Sequence, residues 1–233
     1  MLKNKRLLIA LSLAFVIIEI ALGIIIQTPH SNNYIQYFAI ALACVFCSIF
    51  FEKSKSYLFT QIALIFTVLA DFFLVYLYPI EQLNGMIFFA GTQIAYFLRI
   101  YFEEQNAKIR KIHLRTRIIA SIVAIVATFI VLGKNTDALA IVSIFYYANL
   151  ILNIVFAFIN FKNEQILAIG LVFFVICDTF VGFGSIGPYM TLSEGSLIYK
   201  ILNSGVNVAW IFYVPSQMLL AISLLPNKIK KRV

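Results

Sequence analysis

The sequence predicts an all-α fold, a polytopic membrane bundle of about eight transmembrane helices in one domain over residues 1–233, with both termini cytoplasmic. Three observations predict it. The chain is 62% hydrophobic and 12% charged, whereas a soluble domain has about 25% charged residues. Its apolar residues form runs long enough to cross about 30 Å of hydrocarbon. The Lys and Arg residues fall almost entirely into alternate connectors between these runs.

The apolar runs are too long and too continuous for barrel strands, so each is interpreted as a helix. The first follows Lys3, Lys5 and Arg6 and has no small-residue cleavage site, which predicts an uncleaved span. The fifth is short and is expected to extend to about residue 115, because Arg115 and Arg117 can snorkel. The predicted spans are about 7–26, 34–51, 57–78, 83–102, 117–132, 138–159, 165–183 and 197–225.

The basic residues predict the orientation. With the N-terminus in the cytoplasm, the loops on the opposite side hold Lys134 alone, and Lys200 lies at an outer helix end. The other Lys and Arg residues lie in cytoplasmic segments or, like Arg99, near the inner end of a span. This asymmetry agrees with an even number of spans. The net charge of +8 therefore indicates a lipid bilayer as partner, expected to be a bacterial cell membrane, and not a nucleic acid.

Three acidic residues lie inside apolar runs: Glu19, Asp71 and Asp178. A carboxylate at membrane depth costs about 2.5–3.5 kcal/mol even on the lenient insertion scale, so it predicts a functional site. In the predicted orientation all three lie at similar depth in the outer half of the membrane. A shared polar cavity would explain this agreement. Asp71 and Asp178 are the candidate catalytic residues, and Glu19 either lines the cavity or pairs with Lys200.

Polar residues recur at spacings of three and four, which place them on one face of a helix. Tyr146, Asn149 and Asn153 on the sixth span are one such stripe. Small and polar residues also hold membrane helices together, and Tyr near span ends is typical of the interface. The candidates for substrate binding are Gln93, Tyr96, Asn149, Asn203, Asn207, Tyr213 and Gln217, together with Glu19.

No metal or cofactor is expected from the sequence. Cys44 and Cys47 form a C-x-x-C pattern on a predicted span, with no second Cys pair or nearby His to complete a metal site. His30 and His113 both fall in predicted loops. A His-ligated metal or a soluble catalytic triad is therefore not expected.

Four short elements follow one another between Ile62 and Ser223. They are Thr67-Val-Leu-Ala70-Asp71; Gly85, Phe89, Gln93 and Tyr96; Gly170, Phe174 and Cys177-Asp178; and Tyr213, Gln217 and Ser223. Together they resemble the YhhN family of lysoplasmalogenase-like multi-span proteins. The chain departs from the family pattern at three positions, where Ala70 replaces Gly, Gln93 replaces His and Cys177 replaces Ser.

The resemblance implies a hydrolase that cleaves the vinyl ether bond of lysoplasmalogens. Its substrate would be a lysophospholipid, its products a fatty aldehyde and a glycerophospho-headgroup, and its acid and base the carboxyls of Asp71 and Asp178. Two other interpretations stay open. Intramembrane carboxyls also serve proton-coupled transporters of small molecules or lipids. A catalytically silent membrane protein is favoured by Gln93, which cannot transfer a proton at neutral pH.

Overall fold

The computed structural model describes residues 5–50, 52–77 and 79–225. All regular structure in these residues is helical. The elements are α1 (Lys5–Ile26), α2 (Asn33–Ile49), α3 (Lys55–Asp71), a π-helical segment (Phe72–Tyr76), α4 (Gln82–Glu103), α5 (Ala107–Leu132), a 3-10 turn (Gly133–Asn135), α6 (Ala138–Ile159), α7 (Phe161–Ser185), α8 (Leu197–Leu202) and α9 (Val208–Ile222). Phe51 and Tyr78, where two predicted spans end, lie outside the described residues, as do Lys3 and the basic residues after Leu225.

Six helices in the described ranges are long and apolar enough to cross a membrane. They are α1, α3 together with the π-helical segment, α4, α5, α6 and α7. The apolar helices α2 and α9 are shorter, at 17 and 15 residues. The prediction of an all-α bundle with several candidate membrane helices is therefore confirmed. The count of eight spans and the cytoplasmic termini stay predictions.

The predicted last span, 197–225, is wrong as a single helix. The six-residue α8 ends at Leu202, and α9 begins only at Val208. Between them Gly205 has a φ of 79°, a left-handed conformation that glycine adopts without the steric penalty of a side chain. The Asn203 amide caps α8 by donating to the Tyr199 carbonyl at 2.8 Å. Turn-forming residues thus interrupt an otherwise apolar run.

The fifth helix begins earlier than predicted. Asn106 caps α5, because its side-chain oxygen accepts hydrogen bonds from the backbone N–H groups of Lys108 and Ile109. The added turns contain His113, which is 1% exposed and whose ring stacks on Phe156 with the centroids 3.6 Å apart. The prediction that His113 lies in a loop is therefore wrong.

The core lies among α3, α4, α6, α7 and α9. α4 packs between α3 and α6, and α7 packs along α9. A Cβ atom at Gly170 of α7 would lie 3.0 Å from the Leu220 side chain of α9, so glycine permits this close approach. The Ser216 hydroxyl reinforces it by donating to the Gly170 carbonyl at 2.9 Å. This packing brings residues of α3, α7 and α9 to one interior region.

Candidate active site

Asp71 lies at the end of α3, where the helix changes to its π-helical continuation. Such π segments are often found at functional sites. The Asp71 side chain is buried, with 3% exposure. The hydroxyl of Tyr213 on α9 donates a hydrogen bond to Asp71 Oδ2 at 2.6 Å. Tyr213, predicted as a substrate-binding residue, thus contacts one of the predicted catalytic carboxyls.

Asp178 lies on α7 in a matching arrangement. It is half-buried, and the hydroxyl of Tyr146 on α6 donates a hydrogen bond to its Oδ2. Tyr146 itself is buried. Tyr146 was missing from the predicted binding residues, although it shares the predicted stripe of Asn149 and Asn153. Each aspartate therefore accepts a hydrogen bond from one buried tyrosine.

Aromatic rings join the two aspartate–tyrosine pairs. Phe174, one turn before Asp178, lies with its ring centroid 5.7 Å from that of Tyr213 and 6.5 Å from that of Tyr146. Neither carboxyl has a Lys, Arg or His partner in the described ranges. The Phe174 ring thus contacts both tyrosines that hydrogen-bond Asp71 and Asp178.

Two predicted binding residues on α4 are fully buried. Gln93 Oε1 accepts a hydrogen bond from Asn153 Nδ2 at 3.0 Å, and the Gln93 carbonyl accepts a second at 2.9 Å. These contacts fix the amide, and its Nε2 has no hydrogen-bond partner among the described residues. The Tyr96 hydroxyl, one turn further along, also lacks a partner there. Both groups therefore retain unused hydrogen-bonding capacity within the described part of the chain.

Gln217 follows Tyr213 by one turn of α9. It is 1% exposed, and neither its Oε1 nor its Nε2 has a partner in the described part of the chain. Buried polar atoms are hydrogen-bonded in the great majority of cases. An amide with both ends unpaired therefore marks a position with binding capacity.

Asn149 is hydrogen-bonded by Arg117, a residue that the sequence did not predict to be buried. Its Oδ1 accepts a hydrogen bond from Arg117 Nη1, and the Arg117 Nη2 donates to Asn153 Oδ1 at 2.6 Å. Arg117 is 7% exposed, so the expectation that it snorkels is wrong. The Asn149 side-chain hydrogen bonds run to Arg117, Ser121 and its own helix, and none runs to the aspartates.

The remaining candidates lie away from the aspartates. Asn203 is exposed and caps α8. Asn207 is exposed, and its backbone exchanges two hydrogen bonds with the Gln27 amide, at 3.1 and 3.2 Å. Asn207 also lines a cavity of about 380 Å³ beside Phe180. Glu19 is buried between α1 and α9, and no ion pair joins it to Lys200 among the described residues.

A buried ion pair joins several helices of the same bundle. Arg99 Nη2 lies 2.6 Å from Glu164 Oε2, and Arg99 Nη1 donates to the hydroxyls of Thr60 and Ser223. The sequence patterns did not predict this pair. Arg99 follows Tyr96 by three residues, so the stripe of α4 was the available signal. The pair and its hydrogen bonds connect α3, α4, α7 and the residue that caps α9.

The loop after α7 is hydrogen-bonded to the residue that caps the start of α6. The Tyr189 hydroxyl lies 2.9 Å from both carboxylate oxygens of Asp137 and donates to them. Asp137 also caps α6 by accepting from the Ala140 N–H. Desolvation and the hydrogen bond to Asp137 raise the pKa of Tyr189 to about 12. The hydroxyl therefore stays protonated and remains a donor at neutral pH.

The helical fold and the two aspartate–tyrosine pairs define a class of protein. It is an all-helical bundle with several apolar, membrane-length helices and two carboxyls in its interior. A family model, that of the YhhN family, matches residues 31–224. The chain therefore belongs to the YhhN family. Searches of the curated proteins and of the solved structures found no match to this chain.

Proposed function

We propose that the protein hydrolyses the vinyl ether bond of lysoplasmalogens within the membrane. Membership of the YhhN family is consistent with a hydrolase. The observation that carries the proposal is the pair of interior aspartates, each hydrogen-bonded by a tyrosine and each without a basic partner in the described ranges. Carboxyls left without a cation at this depth are costly, and acid–base chemistry gives a reason for both.

The first step of the reaction needs an acid. A carboxyl donates its proton to the alkenyl carbon distal to the ether oxygen, and the other alkenyl carbon becomes part of an oxocarbenium ion. We assign this step to Asp71, since it is the more deeply buried of the two. The carboxylate of Asp178 stabilises the cation, as paired carboxyls do for the oxocarbenium-like state of glycosidases.

The second step consumes water. Asp178, which is half-buried, takes a proton from the water as its oxygen adds to the carbon that bears the ether oxygen. The resulting hemiacetal collapses to a fatty aldehyde and a glycerophospho-alcohol, and the proton taken by Asp178 balances the one given by Asp71. The tyrosine hydroxyls hold one oxygen of each carboxyl, so the other oxygen is oriented for proton transfer.

Gln93, Tyr96 and Gln217 supply the polar groups that a bound lipid or water would need. The Gln93 Nε2, the Tyr96 hydroxyl and the Gln217 amide are buried on α4 and α9, and they have no hydrogen-bond partner among the described residues. Gln93 occupies the position of the family's His in the resembling stripe. It offers a hydrogen-bond donor there and no proton-transfer group, so we assign it to binding.

The test is aldehyde release by purified protein. Wild-type protein in detergent or nanodiscs should release aldehyde from a lysoplasmalogen and none from the matched 1-acyl lysophospholipid, which lacks the vinyl ether. Asp71→Asn and Asp178→Asn should each lower the rate by about 10²–10⁴-fold, the usual contribution of general acid–base catalysis. Thermal stability should hold in Asp71→Asn, which exchanges a neutral acid for a neutral amide, and should hold or rise in Asp178→Asn, because a neutral amide is cheaper to bury than a carboxylate.

Several outcomes would contradict the proposal. Wild-type rates in both Asn variants would refute the carboxyl mechanism. No aldehyde from the wild-type protein with any of several headgroups would refute the hydrolase. In that case a pH-driven flux of solute in proteoliposomes would favour the proton-coupled transporter, and its absence would favour a silent membrane protein.

A further inference from the structure

The buried guanidinium of Arg117 on α5 has no Asp or Glu partner among the described residues. Neutral groups hold it instead. Its Nη1 donates to Asn149 Oδ1, and its Nη2 donates to Asn153 Oδ1 at 2.6 Å and lies 3.2 Å from His113 Nε2. A buried charge without a counter-charge is costly, and neutral polar side chains hold membrane helices together at lower cost. An arginine at this position therefore needs a reason beyond packing.

Asn153 connects this guanidinium to Gln93 on α4. The Asn153 Nδ2 donates to Gln93 Oε1 at 3.0 Å and to the Gln93 carbonyl at 2.9 Å. All three side chains are buried. Arg117, Asn153 and Gln93 thus form one chain of hydrogen bonds across α5, α6 and α4, the Arg117 relay.

The chemistry of the guanidinium sets the direction of the relay. A guanidinium has only N–H donors, whereas a side-chain amide has an acceptor at one end and donors at the other. Arg117 therefore requires the Asn153 oxygen, which leaves the Asn153 Nδ2 for Gln93. That N–H group in turn requires the Gln93 oxygen, so Nε2 is the free end of the Gln93 amide. A hydroxyl or an amide at position 117 could donate or accept, and both amides could then turn over.

The free end of Gln93 belongs to the part of α4 that packs beside an aspartate–tyrosine pair. Phe89 precedes Gln93 by one helical turn, about 5.4 Å along the axis. The Phe89 ring centroid lies 5.5 Å from that of Tyr146 and 5.8 Å from that of Phe174, and Tyr146 donates to Asp178. The Gln93 Nε2 is buried and has no hydrogen-bond partner among the described residues. A buried donor held in one orientation thus lies next to the candidate site.

We propose that Arg117 is a positioning residue for the hydrolase, and that it acts through Asn153 to hold Gln93 Nε2 as a hydrogen-bond donor to an oxygen of the reactants. That oxygen belongs either to the lysolipid or to the water that adds to it, since both offer the same kind of lone pair. The inference rests on the proposed function and specifies how the amide assigned to binding is oriented. Arg117 itself is assigned no contact with either reactant.

Asn153→Asp tests the direction, because it removes the donor in the middle of the relay. The new carboxylate still accepts from Arg117 but cannot donate, so Gln93 must turn its Nε2 towards residue 153 and present Oε1 at the free end. An acceptor would then face the oxygen of the reactants, and the rate of aldehyde release should fall about 10–100-fold. Asn149→Asp makes the same change one turn earlier on α6, against the same guanidinium and without a hydrogen bond to Gln93. It should lower the rate by no more than a few-fold.

Substitutions of Arg117 test the need for a group that only donates. Arg117→Met removes the donor and keeps most of the length of the side chain, so both amides can turn over and the rate should fall about tenfold. Arg117→Lys restores a group that cannot accept and should recover most of the rate. Arg115→Met is the matched control, since it makes the same change at an exposed arginine of α5. It should keep the wild-type rate, and thermal unfolding of each variant in the same detergent reports folding.

Binding of a non-cleavable 1-O-alkyl lysolipid in nanodiscs distinguishes the two sources of the oxygen. If the acceptor belongs to the lipid, Asn153→Asp should weaken the Kd of this analogue about as much as it lowers kcat/KM. If the acceptor belongs to water, the Kd should stay unchanged and the loss should lie in kcat.

Wild-type rates in Asn153→Asp and Arg117→Met would overturn the inference, as would a loss in Asn149→Asp as large as that in Asn153→Asp. If Asn153→Asp does not fold, equal rates in the Lys and Met variants of Arg117 would overturn it.

The two proposals fail separately. Aldehyde release that is insensitive to these variants would overturn the relay and leave the hydrolase. Without aldehyde release by the wild-type protein, a double-mutant cycle in thermal unfolding still tests the relay. Arg117→Met and Gln93→Leu share Asn153 and no hydrogen bond with each other, so their effects should be coupled through it. Coupling would leave the relay and overturn the hydrolase alone, whereas additive effects would overturn the relay as well.

Discussion

Removing the hydroxyl of Tyr213 tests the contact on which the candidate site depends most directly. In Tyr213→Phe the ring remains, with its packing against Trp210 and Phe174 at centroid distances of 5.3 and 5.7 Å. Only the hydrogen bond to Asp71 Oδ2, 2.6 Å long, is lost. The carboxyl of Asp71 becomes charged as it gives up its proton, and a hydrogen bond to a charged group contributes about 1.5–3 kcal/mol. If the bond orients Asp71 in the transition state, the rate of aldehyde release should fall about 10–150-fold.

A neighbouring tyrosine provides the control. The hydroxyl of Tyr147 on α6 hydrogen-bonds the Thr179 hydroxyl on α7 at 2.7 Å, so Tyr147→Phe removes a bond between two neighbouring helices without contacting an aspartate. It should lower the melting temperature modestly and keep the rate. Aldehyde release and thermal unfolding, measured on both variants in the same detergent, separate chemistry from folding.

A double-mutant cycle gives the sharpest refutation. In an Asp71→Asn background, which has already lost the acid, Tyr213→Phe should cost little further rate, because the two residues act as one unit. Full wild-type activity in Tyr213→Phe would show that the hydrogen bond has no part in the reaction. Equal losses in Tyr213→Phe and Tyr147→Phe would assign the effect to packing.

Three further predictions concern ion pairing, substrate binding and topology. Glu164→Gln should destabilise the protein by about 3–5 kcal/mol in thermal unfolding, since it leaves Arg99 as an uncompensated buried charge; an unchanged melting temperature would contradict this. Gln93→His should leave the rate of aldehyde release within a few-fold of wild type, whereas a rise of about tenfold would show that a proton-transfer group is needed there. For topology, a membrane-impermeant thiol reagent should label Ser193→Cys and not Lys108→Cys from outside; the reverse pattern would invert the predicted orientation.

The helical class follows from the sequence because the length of an apolar run and the position of its basic flanks are local properties. The two aspartates were also identifiable locally, as charges within apolar runs. Their tyrosine partners were not, because Tyr213 lies on α9, far along the chain from Asp71 on α3. A polar stripe indicates which face of a helix is turned inward and leaves open which helix it meets.

The errors share the same cause. His113 and Arg117 look like residues of a basic connector, since the amides that bury Arg117 belong to the next helix. Asn203 and Asn207 were placed inside the bundle on the assumption of one continuous last span. The positive φ of Gly205 marks the break between α8 and α9, and hydropathy carries no information about a backbone torsion angle.

The contact between Arg117 and the amides of α6 has a consequence for how the chain is made. While α5 alone is in the membrane, this guanidinium has no acceptor from Asn149 or Asn153, which are synthesised later. Arginine opposes insertion by about 2.5–3.5 kcal/mol at a helix centre on the translocon scale, and by less at Arg117, where the apolar run of α5 begins. Pairing with α6 removes this remaining cost, so the two helices are expected to enter the bilayer most readily as a hairpin. Replacing Asn149 and Asn153 by leucine should then lower the yield of inserted protein more than it lowers the stability of the protein that does insert.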